Sequence, residues 1–209
     1  MKVLAVGSAK GGVGKSTTVL YLATRAAEAL GGTRENPAVC ILDRDESKNL
    51  TRLLARLPDR VRPGVVVVPG DELPPESAGL PLCIIDTPPG LSAVRSLREA
   101  QLIVAPVRTE LQSIINMAEY LRMLETQRLV VSPGMRLLAL LPTMVQRRVS
   151  DRQRLADIRA IATRQHPPLL VLPPVADRED VKLYRLDSPE YDAIAKEVLA
   201  RAEIATFTH

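Results

Sequence analysis

Apolar residues fall along this chain in short unbroken runs rather than in strict alternation. The clearest runs are Lys2–Gly7 (KVLAVG), Ala38–Asp43 (AVCILD), Val65–Val68, Leu82–Asp86 (LCIID), Leu102–Val107, Arg136–Leu141 and Leu169–Leu172. Continuous runs of this length are the pattern of strands buried on both faces of a parallel sheet. Between them, Ser16–Leu30, Ser47–Leu57, Glu110–Thr126, Asp151–Gln165 and Pro189–Ile204 read as amphipathic helices. Strand–helix alternation predicts right-handed crossovers and an α/β fold: a doubly wound, mainly parallel sheet of about seven strands with helices on both faces. "GGTRENP" (31–37), "LPDRVRPG" (57–64) and "PGDELPPESAGLP" (69–81) read as loops. No linker or internal repeat divides the 209 residues, so a single domain over 1–209 is expected. In such sheets ligands sit at the carboxyl ends of the strands, which makes the strand-closing residues the first candidates for chemistry.

One strand end carries a specific pattern. After Lys2–Gly7, "SAKGGVGKSTT" (8–18) leads into the helix at Ser16. Gly11, Gly12 and Gly14 let the backbone curl so that successive N–H groups point at phosphate oxygens. The helix start adds its positive dipole end. Lys15 brings charge to the outer phosphates, and the Ser16 hydroxyl is placed to ligate Mg²⁺. With Val13 and Thr17 these residues make a phosphate-binding P-loop in its proper strand-to-helix setting. Ala9 stands where the general pattern has glycine, and Lys10 is a cation the loop itself does not need. Asp86 closes an apolar strand, where a carboxylate can hold Mg²⁺ through water. Asp43 and Asp45 alternate at another strand end, so only one of them easily faces the phosphates.

"KGGVGKST", with Lys10 leading, resembles the deviant Walker A motif of the ParA/MinD superfamily of P-loop ATPases. "CILDRDESKNLT" (40–51) resembles that family's Asp-x-Asp motif, and "LCIIDTPPGLS" (82–92) its Walker B strand. Fainter similarity runs through "AQLIVAPVRTE" (100–110) and "PPVADREDVKLYRLDSPEYDAIAKEVL", so the resemblance spans nearly the whole chain. It is nearest to small ParA-type partition ATPases without an N-terminal helix-turn-helix domain, since the chain starts at its first strand. The resemblance implies ATP and Mg²⁺ as cofactors, with Ser16, Asp43 and Asp86 on the metal side and Lys10, Lys15 and Asp45 in catalysis. Asp45 would orient the attacking water. Lys10 would reach across a homodimer to the nucleotide of the partner, offsetting transition-state charge as an arginine finger does. By the same resemblance adenine is recognised after the last strand, where Pro173 and Pro174 are the expected base pocket. The chain departs from the family after Asp45, where Glu46–Ser47 replaces the usual Pro-Gln, and the stretch from Lys15 to Asp45 is longer by several residues, the excess falling in "GGTRENP".

Composition narrows the partners. The net charge is +4 and the pI about 9.3, which permits a polyanionic partner. With four Tyr, one Phe and no Trp, stacking platforms for single strands are disfavoured and a duplex backbone is the better target. Six arginines and two aspartates lie between Pro142 and Arg164. "SDRQ" reads as a capping box, Ser150 with Gln153, that starts a helix whose apolar side carries Leu155, Ile158 and Ala162. Arg147, Arg148, Arg152 and Arg159 are the candidate DNA contacts. A merely solvated helix face is the other reading of the same charges. The resemblance implies nonspecific double-stranded DNA binding by the ATP dimer, release by hydrolysis that a ParB-type centromere-binding protein stimulates, and a cytoplasmic, nucleoid-associated life. The same machine could position a protein cargo. A MinD-like membrane cycle needs a basic amphipathic C-terminal helix, and "EVLARAEIATFTH" has Arg201 as its single Lys or Arg, so no membrane partner is expected. No apolar run reaches membrane length. Cys40 and Cys83, inside strands and without metal-site spacing, read as small buried hydrophobes.

Overall fold

All seven apolar runs form strands, within a residue or two of the expected ends. A computed structural model describes residues 1–56, 63–90, 93–130, 132–178, 181 and 188–204. Residues 57–62 of the expected loop and helix end, 91–92 of the third motif, 179–180 and 182–187 of the closing stretch, and the tail 205–209 lie outside the described residues. The strands are β1 (Lys2–Val6), β2 (Val39–Asp43), β3 (Val65–Pro69), β4 (Leu82–Asp86), β5 (Leu102–Arg108), β6 (Arg136–Thr143) and β7 (Leu170–Val171). They form one sheet in the order β3-β2-β4-β1-β5-β6-β7, and every pairing is parallel. β1 sits between β4 and β5, so the chain winds away from it in both directions, and the crevice at its carboxyl end is where such sheets take ligands.

The helices are α1 (Lys15–Ala29), α2 (Asn49–Arg56), α3 (Ala93–Ser96), α4 (Leu111–Val130), α5 (Val149–Thr163) and α6 (Pro189–Arg201). α3 and a single 3-10 turn at Pro75–Ser77 were not expected. Elements of three or four residues are too short to show a period.

Strand alternation splits the core in two. Leu4, Val6, Ile41 and Ile84 pack with α1 and α6 residues such as Leu20, Tyr21, Tyr191 and Val198. Ala5, Leu42, Cys83 and Ile85 pack with α4 and α5 residues such as Met117, Tyr120, Leu121 and Ile158. On the first face Tyr21 and Tyr191 stack with ring centroids 4.1 Å apart, a contact worth about 0.5–1.5 kcal/mol beyond its buried area. The longer connection between α1 and β2 has a structural role: Gly32 lies against Gly64, and Ala38 N donates to Gly64 O (2.9 Å), tying that segment to the start of β3.

The expected capping box does not form. α5 begins two residues earlier, at Val149, with Arg148 as N-cap and no side-chain cap. Asp151 instead turns back and accepts a bond from Gln146 N (2.7 Å), while Gln153 Nε2 donates to Asp157. A carboxylate that satisfies the chain entering the helix removes the need for a Ser cap. Ile158 and Ala162 are buried as expected, and Leu155 is only half-buried.

Candidate functional site

The loop between β1 and α1 is shaped by two left-handed residues, Gly12 (φ 71°) and Gly14 (φ 89°), and Gly14 is the N-cap of α1. Ala9 keeps a negative φ, so the site loses nothing by having alanine there. Three contacts brace the loop, one within it and two from outside: Ser8 Oγ donates to Lys10 O (2.8 Å), Gly90 N to Ser8 O (3.2 Å) and Thr143 Oγ1 to Val13 O (2.8 Å). Gly7, at the root of the loop, faces the Tyr120 hydroxyl of α4, which fills the space that a Cβ would need. The first turn of α1 holds no acidic residue and no side-chain cap, which leaves its N–H groups for an anion. Val13 is buried, Ser16 and Thr17 are half-buried, and Gly11 and Gly12 are exposed.

Lys15 is 6% exposed, and Asp43 and Asp86 are fully buried. Asp43 and Asp86 are register partners at the ends of β2 and β4, which alternation turns toward the α1 face. Burial pushes the Lys15 ammonium below its usual pKa, against the pull of Asp86 and Asp45. Burial, with Asp43 and Asp45 nearby, pushes Asp86 up to about 7, although the Ser16 hydroxyl and Lys15 act the other way. Ser16 is close enough to act on Asp86, yet neither Asp86 oxygen completes a hydrogen bond among the described residues, and Asp43 Oδ1 is likewise unpartnered. Asp43 Oδ2 accepts bonds from Thr51 N (3.0 Å) and Thr51 Oγ1 (2.6 Å).

Asp45 is half-buried, and its Oδ1 accepts bonds from Ser47 N (2.9 Å) and Ser47 Oγ (2.6 Å). Ser47 thus braces the turn where the family carries Pro-Gln. Lys48 completes it in a left-handed conformation (φ 49°), its Nζ on Asp43 O at 2.6 Å.

Lys10 stands apart from this cluster. Its Nζ lies 3.2 Å from Glu110 Oε2, and Glu110 Oε1 lies 2.8 Å from Arg108. All three side chains are more than a third exposed, at the rim of the loop. Sequence reasoning missed Glu110, Arg108, Ser47, Lys48 and Thr51. The available signal was position, since all of them lie at or after the carboxyl ends of β2 and β5.

Pro173 and Pro174 follow β7 at the same edge of the sheet, next to Pro142, whose carbonyl accepts a bond from Val175 N (2.9 Å). Arg147, Arg148, Arg152 and Arg159 are all exposed. The two aspartates among them are engaged, Asp151 with Gln146 and Asp157 with Arg154 (3.2 Å), so they leave those four arginines uncompensated.

Residues 4–188 match the sequence model of the CobQ/CobB/MinD/ParA nucleotide binding domain. The chain belongs to that family. It is a nucleotide-binding ATPase of the ParA/MinD type. The chain is 29% identical over 187 residues to the chromosome-partitioning ATPase Soj of Thermus thermophilus, covering 75% of each. Its fold matches an ATP complex of a Cyanothece McdA variant (TM-score 0.74, 18% identity, 100% of this chain and 99% of that one). It also matches a cobyrinic acid a,c-diamide synthase from Mycobacterium smegmatis with bound ADP and magnesium (TM-score 0.70, 25% identity, 100% of both chains).

Proposed function

We propose that this protein is a DNA partition ATPase: it dimerises on ATP, binds duplex DNA nonspecifically as the dimer, and leaves when a ParB-type centromere-binding partner stimulates hydrolysis. The observation that carries the reading is the position of Lys10. Its ammonium points to the rim at Glu110 rather than into its own phosphate loop, where Lys15 already serves. A cation held there is available to a second nucleotide, and two phosphate-loaded faces brought together need such a charge between them.

Within one protomer the placement of these residues supports the following roles. The N–H groups of the 11–17 loop receive the phosphates and Lys15 neutralises them. The unpartnered oxygens of Asp43 and Asp86 beside Ser16 fit Mg²⁺, and no three His, Cys, Asp or Glu side chains gather into a metal cage among the described residues. That incomplete set suits an ion that keeps phosphate oxygens and waters in its shell. When bound, Mg²⁺ neutralises charge on the outer phosphates. Asp45, fixed by Ser47, is the residue that orients the attacking water. Pro173 and Pro174 are assigned to the adenine side.

DNA contact falls to Arg147, Arg148, Arg152 and Arg159. One such patch is weak, and two copies in a dimer reinforce one another, which makes DNA affinity depend on ATP. Through that contact the protein is nucleoid-associated. Residues 1–209 act as one ATPase domain with no membrane partner. The proposal is tested by measuring ATP hydrolysis alone, with plain duplex DNA, with the product of the neighbouring gene, and with both. Synergistic stimulation by the two together is expected, and a rate indifferent to DNA rejects the partition role.

A further inference from the structure

Cys40 and Cys83 take no part in the phosphate site. They are register partners on the neighbouring parallel strands β2 and β4. Alternation puts them on the sheet face away from Asp43 and Asp86, with Leu42 and Ile85. Both are free and buried, and the two thiols act on one another, with Ser77 also beside Cys40. Neighbouring strands run about 4.8 Å apart. That spacing falls inside the Cα separation of about 4.4–6.8 Å that a disulfide bridges.

Cys40 is 0% and Cys83 2% exposed, and one side of the cover over the pair is polar. Ser77 comes from the 3-10 turn, and the buried Arg44 guanidinium ties the end of β2 to Ser96 O (2.9 Å), Asp71 O and Glu99 Oε2 (2.8 Å). The Glu99 side chain is 60% exposed, so this cover reaches solvent. Arg44 and Glu99 both act on Cys83 through their charges. Cys83 and Ser77 hold the Cys40 thiol below its usual pKa, whereas Cys40 and burial push Cys83 far up. Cys40, on the polar side of the pair beside Ser77, is assigned as the attacking thiol.

We infer that Cys40 and Cys83 form an oxidisable dithiol that closes to an intramolecular disulfide by exchange with a small disulfide such as oxidised glutathione. The Cys40 thiolate attacks one sulfur of the oxidant, giving a mixed disulfide and releasing one thiol that carries the proton lost by Cys40. Cys83 then attacks Cys40 Sγ, forming the Cys40–Cys83 bond and passing its proton to the glutathione thiolate that leaves as the second thiol. Two protein thiols are oxidised and one disulfide is reduced. Each cysteine precedes a buried carboxylate by three residues, and those carboxylates share the same register. The cross-link thus clamps the two strands directly behind Asp43 and Asp86 and shifts the metal-side oxygens. That consequence rests on the proposed roles of Asp43 and Asp86, but formation of the cross-link does not.

The test treats native wild-type protein with oxidised glutathione, then unfolds, alkylates and weighs it. The expected result is a loss of two hydrogens, with the Cys40 and Cys83 peptides travelling as one species until reduced. Two alkylated thiols, or glutathione retained on one cysteine, overturn the inference. Because the mass is read on wild type, no variant need fold. Affinity for Mg²⁺ and a fluorescent ATP analogue is expected to fall about tenfold on oxidation, the scale of a disturbed outer shell, and to return with a dithiol reductant. The Cys40→Ser variant is expected to ignore the oxidant, and Cys83→Ser to stop at the mixed disulfide on Cys40. Cross-linked protein that binds nucleotide as before overturns the coupling to the site.

Discussion

The carboxyl edge of the sheet and the outer face of α5 are both rich in charge, yet they hold it in opposite ways. At the edge, Lys15, Asp43 and Asp86 are buried and set at fixed register, and the pKa values of Lys15 and Asp86 move because water is excluded. On α5 the arginines stand in solvent, where each charge is screened and worth little alone. In the first region the identity of each residue is dictated by its neighbours, so a single change costs orders of magnitude. In the second only the sum matters, so effects are graded and follow salt. Lys10 lies between the two: exposed like the arginines, but aimed by one partner, Glu110.

The largest effect is expected at that boundary. Lys10→Ala should lower partner-stimulated hydrolysis by about 10³-fold, the scale of an arginine finger, while equilibrium dialysis finds nucleotide binding by the monomer nearly unchanged. Equal losses in both would move Lys10 into the cis site and erase the contrast with Lys15.

Next comes the buried carboxylate. Asp86 has its folded pKa raised to about 7, so its ionised form opposes folding and the nucleotide-free protein loses stability as pH rises from about 4 to 7. Asp86→Asn, which mimics the protonated acid, should be more stable than wild type by up to about 4 kcal/mol at pH 8 and equal to it near pH 4. Urea melts at both pH values read this directly, and a gain that does not depend on pH would mean that Asp86 is not desolvated.

Lys15→Ala should weaken ATP binding by about 100-fold, as expected for the loss of a buried charge-assisted contact. Titration with a fluorescent analogue measures it. The smallest effect belongs to the exposed face. Arg152→Ala with Arg159→Ala should reduce the salt slope of DNA binding by about one unit for each phosphate no longer neutralised, with ATP affinity untouched. A loss of DNA binding that salt does not modulate would place those arginines in the same class as Lys15.

What could be read from the chain divides along the same line. The strands were legible because burial on both faces leaves unbroken apolar runs, and the loop was legible because phosphate binding demands Gly12, Gly14, Lys15 and Ser16 at set spacing. Glu110, one hundred positions from Lys10, was invisible as its partner, because sequence order says nothing about which strand ends become neighbours. Ser47 was seen only as part of the Glu46–Ser47 departure from Pro-Gln, and Lys48 was not seen at all. Polar bonds from Ser47 to Asp45 and from Lys48 to Asp43 hold the turn there. The capping box over Ser150 failed for a local reason of the same kind, since Asp151 took the competing bond. Surface arginines carry no such constraint, so their pattern alone left a solvated face and a DNA face equally open.

The most direct measurement is the mass of the protein in solution, by light scattering or analytical ultracentrifugation, with and without a slowly hydrolysed ATP analogue. Wild type should be monomeric without nucleotide and double its mass with it, while Lys10→Ala binds the analogue and stays monomeric. Normal nucleotide-dependent dimers of Lys10→Ala, or a wild-type mass that ignores the nucleotide, would contradict the role given to Lys10.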